Sequence, residues 1–167
     1  MANFIHLHVH TNYSILDGLS KTKDLVKKCK KNGMNALAIT DHGNMFGIKE
    51  FTEICESENA DINKEISNKK KLIKDIENKI SECTATEEDT NNLEIYKSDI
   101  ESLQKQIFKP IIGCEAYCAR RTLYDKDPSQ TFINENGKAQ KIDMSGYHLI
   151  LLTKNKIKYQ NLYMLIS

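Results

Sequence analysis

Three histidines stand at alternate positions near the start of the chain, His6, His8 and His10, and the other two, His42 and His148, fall at the ends of short apolar runs. In an extended segment alternate side chains share a face, so imidazoles at i and i+2 can bind one cation or two neighbouring ones. Carboxylates accompany them: Asp17 in an Asp17-Gly18 turn, Asp41 directly before His42, and Glu115 inside the run IIGCEAYC. Imidazoles mixed with carboxylates suit Zn²⁺, Mn²⁺ or Fe, whereas a purely carboxylate set would suit Mg²⁺ better. Each residue also has a plainer reading. A surface strand can carry His-X-His by chance, Asp-Gly makes an ordinary turn, and Glu115 fits an exposed strand edge. Asp41 has two open readings, an acceptor orienting a ligand histidine or a cap of its own loop. His6, one layer deeper, is expected to be packed and hydrogen-bonded. The combination favours a metal site at His8, His10, Asp17 and His42.

Those residues need elements to position them. Ile5, Leu7 and Val9 alternate with the three histidines, the period of a two-faced strand over residues 4–10. A turn-like stretch follows at 12–20. Ser20 can then cap a helix with an apolar stripe of Leu25, Val26 and Cys29, and Gly33 suits its end. Residues 35–40 read as a buried parallel strand, and a second helix is expected over about 45–58. Strands are expected at 110–118 and 148–153, and a last helix at 156–167. This alternation predicts an α/β fold with a parallel sheet. In such sheets the ends where strands pass into helices line the functional face, which gathers His8, His10, Asp17, Asp41 and His42. His148 opens its strand, so a parallel arrangement would leave it at the wrong end.

Two stretches interrupt this rhythm. Residues 122–145 are polar and read as a long loop with a hairpin around Asn136-Gly137. In residues 61–106 the apolar positions Ile62, Ile66, Ile73, Ile76, Ile80 and Cys83 break off, then resume as Leu93, Tyr96, Ile100 and Leu103. Steps of three, four and seven mark helix seams, and Thr84–Asp89 offers a capped helix start with acids in its first turn. An inserted antiparallel helical hairpin is expected there, with a solvated Lys-, Glu- and Asn-rich exterior and no chemistry of its own.

Composition narrows the remaining classes. The 167 residues carry a formal net charge of +1, which disfavours a segment that grips nucleic acid unaided. Nothing in the sequence reads as a membrane span or a secretory signal. Five cysteines without a Cys-X-X-Cys pair argue for a reducing compartment and for small, buried or half-buried roles.

At the level of wording, HLHVHTNYSILDG contains the His-X-His-X-X-X-Ser motif, AITDHGNMFG and PIIGCEAY match two further segments, and HLILLTKN with NLYMLIS matches the next unit. Together they resemble the PHP (polymerase and histidinol phosphatase) family. SILDG, TDHGNMFG and the NL..LIS ending are closer to the branch attached to bacterial replicative DNA polymerase alpha subunits than to stand-alone phosphatases. The resemblance covers nearly all of residues 1–167 except 61–106 and the loop at 121–145. It implies a partial PHP-type distorted βα barrel, seven-stranded in the full family, with residues 1–167 as its truncated N-terminal portion. By position the implied ligands are His8, His10, Asp17, His42, Glu115 as a bridging carboxylate, and His148.

The implied cofactor is Zn²⁺ or Mn²⁺, with Fe or Mg²⁺ as alternatives, up to three ions in a full domain and fewer or none here. Further ligands of the family pattern would lie past residue 167. The implied activity is metal-dependent 3′–5′ exonucleolytic cleavage, in a parent nucleotidyltransferase whose polymerase site lies outside these residues. Implied partners are DNA, a proofreading exonuclease and a sliding clamp, all through the parent, in the bacterial cytoplasm and away from membranes. An open barrel edge is expected to favour dimerisation or swapping. The alternatives are an inert scaffold of the polymerase and a histidinol-phosphatase-type enzyme.

Overall fold

The computed structural model describes residues 4–122, 124–143 and 146–167. Five helices and five strands follow one another: α1 (Thr22–Lys31), β1 (Ala36–Ile39), α2 (Ile48–Glu58), α3 (Ala60–Ser81), α4 (Glu87–Gln106), β2 (Lys109–Ala119), β3 (Thr131–Ile133), β4 (Ala139–Lys141), β5 (Gly146–Leu152) and α5 (Lys156–Ile166). The fold is mixed α/β. One sheet has the order β1-β2-β5, and β3 pairs with β4 in a separate hairpin. The chain divides into two compact units.

The first unit comprises residues 1–5, 22–37 and 49–110. Val26, Cys29, Phe51, Cys55 and Phe108 are buried in it. Desolvation pushes the Cys55 thiol up to about 12 and raises Cys29 in the same direction. Cys83 and Cys118 are exposed, contrary to the expectation of five buried or half-buried cysteines. Helices α3 and α4 run antiparallel: Lys69 pairs with Asp99 at 2.6 Å and Lys79 with Asp89 at 2.9 Å, so one index rises as the other falls. At ~1.5 Å per residue they are roughly 30 Å long. Their seam is narrow, with Ile66 and Ile76 buried on α3 and no residue of α4 fully buried. Buried Asn59 clamps the base of the pair. Its Nδ2 donates to Phe108 O at 2.8 Å, and its Oδ1 accepts from Phe108 N at 2.9 Å.

Thr86 begins α4 with a reciprocal cap, accepting from Asp89 N at 3.2 Å while its own N–H donates to Asp89 Oδ2 at 3.0 Å. The hydrogen bond from the Lys79 ammonium, aided by Thr86, holds the Asp89 carboxyl at about 2. A carboxylate depressed by folding stabilises above its unfolded pKa of about 4, and the effect is lost as pH falls through the folded value. Helical signal in far-UV circular dichroism should therefore hold steady from neutrality to about pH 4 and decline between about pH 4 and 2. In Lys79→Ala the decline should begin at higher pH. Superimposable profiles would mean that this pair does not govern the acid limb.

The second unit comprises residues 6–21, 38–48 and 111–167. The opening segment does not form the regular strand that its alternation suggests. His6 O accepts from Ala38 N and Val9 O from Thr40 N, both at 2.9 Å, so three residues on one side span two on the other. The extra residue bends the chain at Leu7 and stops the ladder. In consequence Leu7 and His6 are exposed, and the packed position expected for His6 is not found.

Beyond β1, His42 bridges Glu115 in parallel, whereas β2 and β5 are antiparallel, with Glu115 opposite Ile150 and Tyr117 opposite His148. The expected all-parallel sheet is therefore corrected to a mixed one. A parallel neighbour needs a crossover, usually a helix, but none is found among the described residues of 120–143. They carry the β3–β4 hairpin instead, turning at Gly137 with φ 72°. The Arg120 guanidinium lies 4.0 Å from the Phe132 ring centre and 4.2 Å from that of Tyr147, tying the hairpin to the start of β5. The sheet contains three strands among the described residues.

Candidate metal centre

Buried Glu115, 3% exposed, stands at the centre of the second unit's polar cluster. β2 holds it: its N–H donates to Asp41 O at 3.1 Å, and its carbonyl accepts from Gly43 N at 2.8 Å. Each carboxylate oxygen faces different histidines. Oε2 lies 2.9 Å from His10 Nε2 and 3.1 Å from His42 Nδ1. Oε1 lies 2.6 Å from His148 Nδ1 and 4.0 Å from His8 Nε2. Asp17 closes the other side, its Oδ2 being 3.1 Å from His10 Nδ1 and 3.3 Å from His42 Nδ1. All six residues expected as ligands converge here. His148 reaches the cluster because antiparallel pairing sets the start of β5 beside the end of β2.

A loop anchored by buried Thr11 and Ser14 and capped by Asp41 positions the first part of the cluster. Asp41 Oδ1 accepts from Thr11 N at 2.6 Å and from Ser14 Oγ at 3.2 Å, and the Thr11 hydroxyl lies 2.9 Å from both oxygens. Ser14 Oγ in turn accepts from His42 N at 2.8 Å. Of the two open readings of Asp41, these bonds are those of a loop cap, and Ser14 carries the contact on to the His42 backbone. Gly18 packs tightly on the same loop, since a Cβ there would stand 1.9 Å from Thr11 O. Thr40 supports His8: its Oγ1 accepts from Val9 N at 3.1 Å and lies 2.7 Å from His8 Nδ1.

Three neighbouring atoms, His10 Nε2, His42 Nδ1 and Glu115 Oε2, are buried without any hydrogen-bond partner. Their separations of 2.9 Å and 3.1 Å are short enough for hydrogen bonds, so it is the direction of the N–H groups that fails. Buried polar atoms that pair with nothing are costly. Ligands at about 2.0–2.2 Å around one tetrahedral ion lie roughly 3.3 Å apart, close to this spacing. The donor atoms of His8, His10 and Glu115, and of His10, Asp17 and His42, form two groups, each within 4.8 Å, that could hold a cation. The residues fit a divalent metal centre.

Tyr117 and Thr40 fall inside the matched segments without a role of their own, and Ser14 figured only as the last residue of His-X-His-X-X-X-Ser. Tyr117 stands two residues after Glu115 on the same face of β2, and its hydroxyl is hydrogen-bonded to His42 Nε2. Period-two alternation was the available signal.

Comparison with known proteins places the chain in a family. A family model described as PHP domain matches residues 6–167. The DNA polymerase III subunit alpha of Treponema pallidum is 32% identical over 165 residues, covering 99% of this chain and 9% of that protein. The subunit of the same name from Campylobacter jejuni is 32% identical over 168 residues, covering 100% of the chain and 9% of the relative. The Mycobacterium tuberculosis subunit is 30% identical over 174 residues, covering 99% and 10%. The chain thus spans about a tenth of the length of these curated relatives.

Proposed function

Because the chain belongs to the PHP domain family, we propose that it is the N-terminal PHP segment of a replicative DNA polymerase alpha subunit and that its histidine–carboxylate cluster is a divalent-metal phosphoesterase centre. The observation that carries this reading is the trio of buried, unpartnered atoms on His10, His42 and Glu115. His10, Asp17 and His42 would hold one ion and His8, His10 and Glu115 a neighbouring one, with His148 beside Glu115. The mixed donor set favours Zn²⁺ or Mn²⁺ over Mg²⁺. A bound ion supplies polarisation of a phosphate oxygen and activation of a water. The protein's own part is to orient the ligands through Asp41, Ser14 and Thr40 and to keep Glu115 away from bulk solvent.

In the intact subunit the reaction would be 3′–5′ removal of nucleotides, with DNA and replisome subunits as partners in the bacterial cytoplasm. Residues 61–106 are read as an insertion, supported by the Asn59–Phe108 clamp across its base.

The test pairs elemental analysis with degradation of a 5′-labelled DNA primer, comparing the protein with its His10→Ala variant. The expected result is Zn or Mn retained by the former and largely lost by the latter, with primer shortening that depends on His10. Metal without His10-dependent shortening would make the segment a scaffold. Equal metal content in the two proteins would remove the metal assignment itself.

A further inference from the structure

Tyr117 projects from β2 on the same face as Glu115 and directly opposite His148. Its ring meets the His42 ring edge-on, with centroids 5.0 Å apart at 62°, and the His148 ring at 4.9 Å and 90°. The hydroxyl is bonded to His42 Nε2, the nitrogen that points away from the carboxylates. The other nitrogen, Nδ1, lies 3.1 Å from Glu115 Oε2 and 3.3 Å from Asp17 Oδ2, yet makes no hydrogen bond to either.

A neutral imidazole carries its proton on one nitrogen and a lone pair on the other, and the group bonded to one decides what the other offers. A proton on Nδ1 would have two carboxylate oxygens beside it and be aligned with neither. With the proton on Nε2 and donated to the Tyr117 oxygen, Nδ1 presents its lone pair to the space between Asp17 and Glu115. We propose that Tyr117 is a positioning residue that fixes His42 as its Nε2–H tautomer and so aims Nδ1 as a metal ligand. The inference rests on the metal-centre reading, but it makes a separate claim about one hydroxyl group. Outer partners of ligating histidines typically govern metal affinity by about 10- to 100-fold.

Tyr117→Phe keeps the ring and removes only the oxygen. Tyr117 is more than half exposed, so the fold is expected to survive. Two measurements on the whole chain decide the matter. Imidazole ¹⁵N spectra of the metal-free protein should show His42 as the Nε2–H tautomer in the unaltered protein and a mixed population in Tyr117→Phe. Zn²⁺ affinity, measured by competition with a chromophoric chelator, should fall about 10- to 100-fold in the variant. An unchanged value in either measurement overturns the proposal. Wild-type-like Zn²⁺ affinity in Tyr117→Phe alongside lost affinity in His10→Ala would reject the Tyr117 role and keep the metal centre. If the unaltered protein binds no Zn²⁺, the metal reading fails and the role of Tyr117 fails with it, whatever the spectra show.

Discussion

Glu115→Gln is expected to abolish metal binding while leaving the metal-free fold intact or slightly more stable. The substitution keeps the side-chain volume but removes the charge, and places an amide where one of the two oxygens now stands. In the metal-free protein Glu115 is a liability, because a buried carboxylate with an unpartnered oxygen is costly. In the proposed metal centre the balance would reverse, since Glu115 would then have a partner for its charge. A metal present at 100 times its Kd stabilises the folded state by about 2.7 kcal/mol. Thermal unfolding with and without Zn²⁺ should show this gain in the unaltered protein and none in Glu115→Gln. Affinity should fall at least about 100-fold, the upper range for outer partners, because here a direct ligand is changed. An equal Zn²⁺-induced rise in both proteins would show that Glu115 is not a ligand. A large loss of metal-free stability would make it a structural residue instead.

Asp41→Ala should produce the largest loss of stability. Asp41 is 2% exposed and accepts from the Thr11 backbone, the Thr11 hydroxyl and the Ser14 hydroxyl. Hydrogen bonds to a charged acceptor contribute about 1.5–3 kcal/mol each, and truncation would also strand buried donors, so a loss of about 3–5 kcal/mol is expected. Chemical denaturation measures it. Metal affinity should fall in parallel, because Asp41 holds Ser14 and Ser14 holds the backbone of His42. Ser14→Ala breaks only the second link and should cost less stability. A loss below about 1 kcal/mol in Asp41→Ala would mean that other contacts order residues 11–18.

What could be read from the sequence was whatever depends on near neighbours. The Thr86–Asp89 cap and the turn at Asn136-Gly137 are each set within a few positions of chain, and each is found. His8, His10, Asp17 and His42 were likewise visible as candidate ligands, whereas Glu115 and His148 entered only through the family resemblance. Alternation misled at residues 4–10, where one extra residue against β1 breaks the ladder and exposes Leu7 and His6.

The rest was decided by pairing between segments far apart in sequence. Whether β5 runs with or against β2 depends on whether a helix can cross between them, and residues 131–141 form a hairpin instead. Strand direction alone turns His148 from a misplaced residue into one 2.6 Å from Glu115, and sets Tyr117 beside it. The choice between the two roles of Asp41 likewise waited on Thr11 and Ser14 folding over it. The sequence therefore determined which atoms could bind a metal. The tertiary structure decided which of them meet, because a side chain's neighbours across a sheet follow from strand direction and register, to which local spacing is blind.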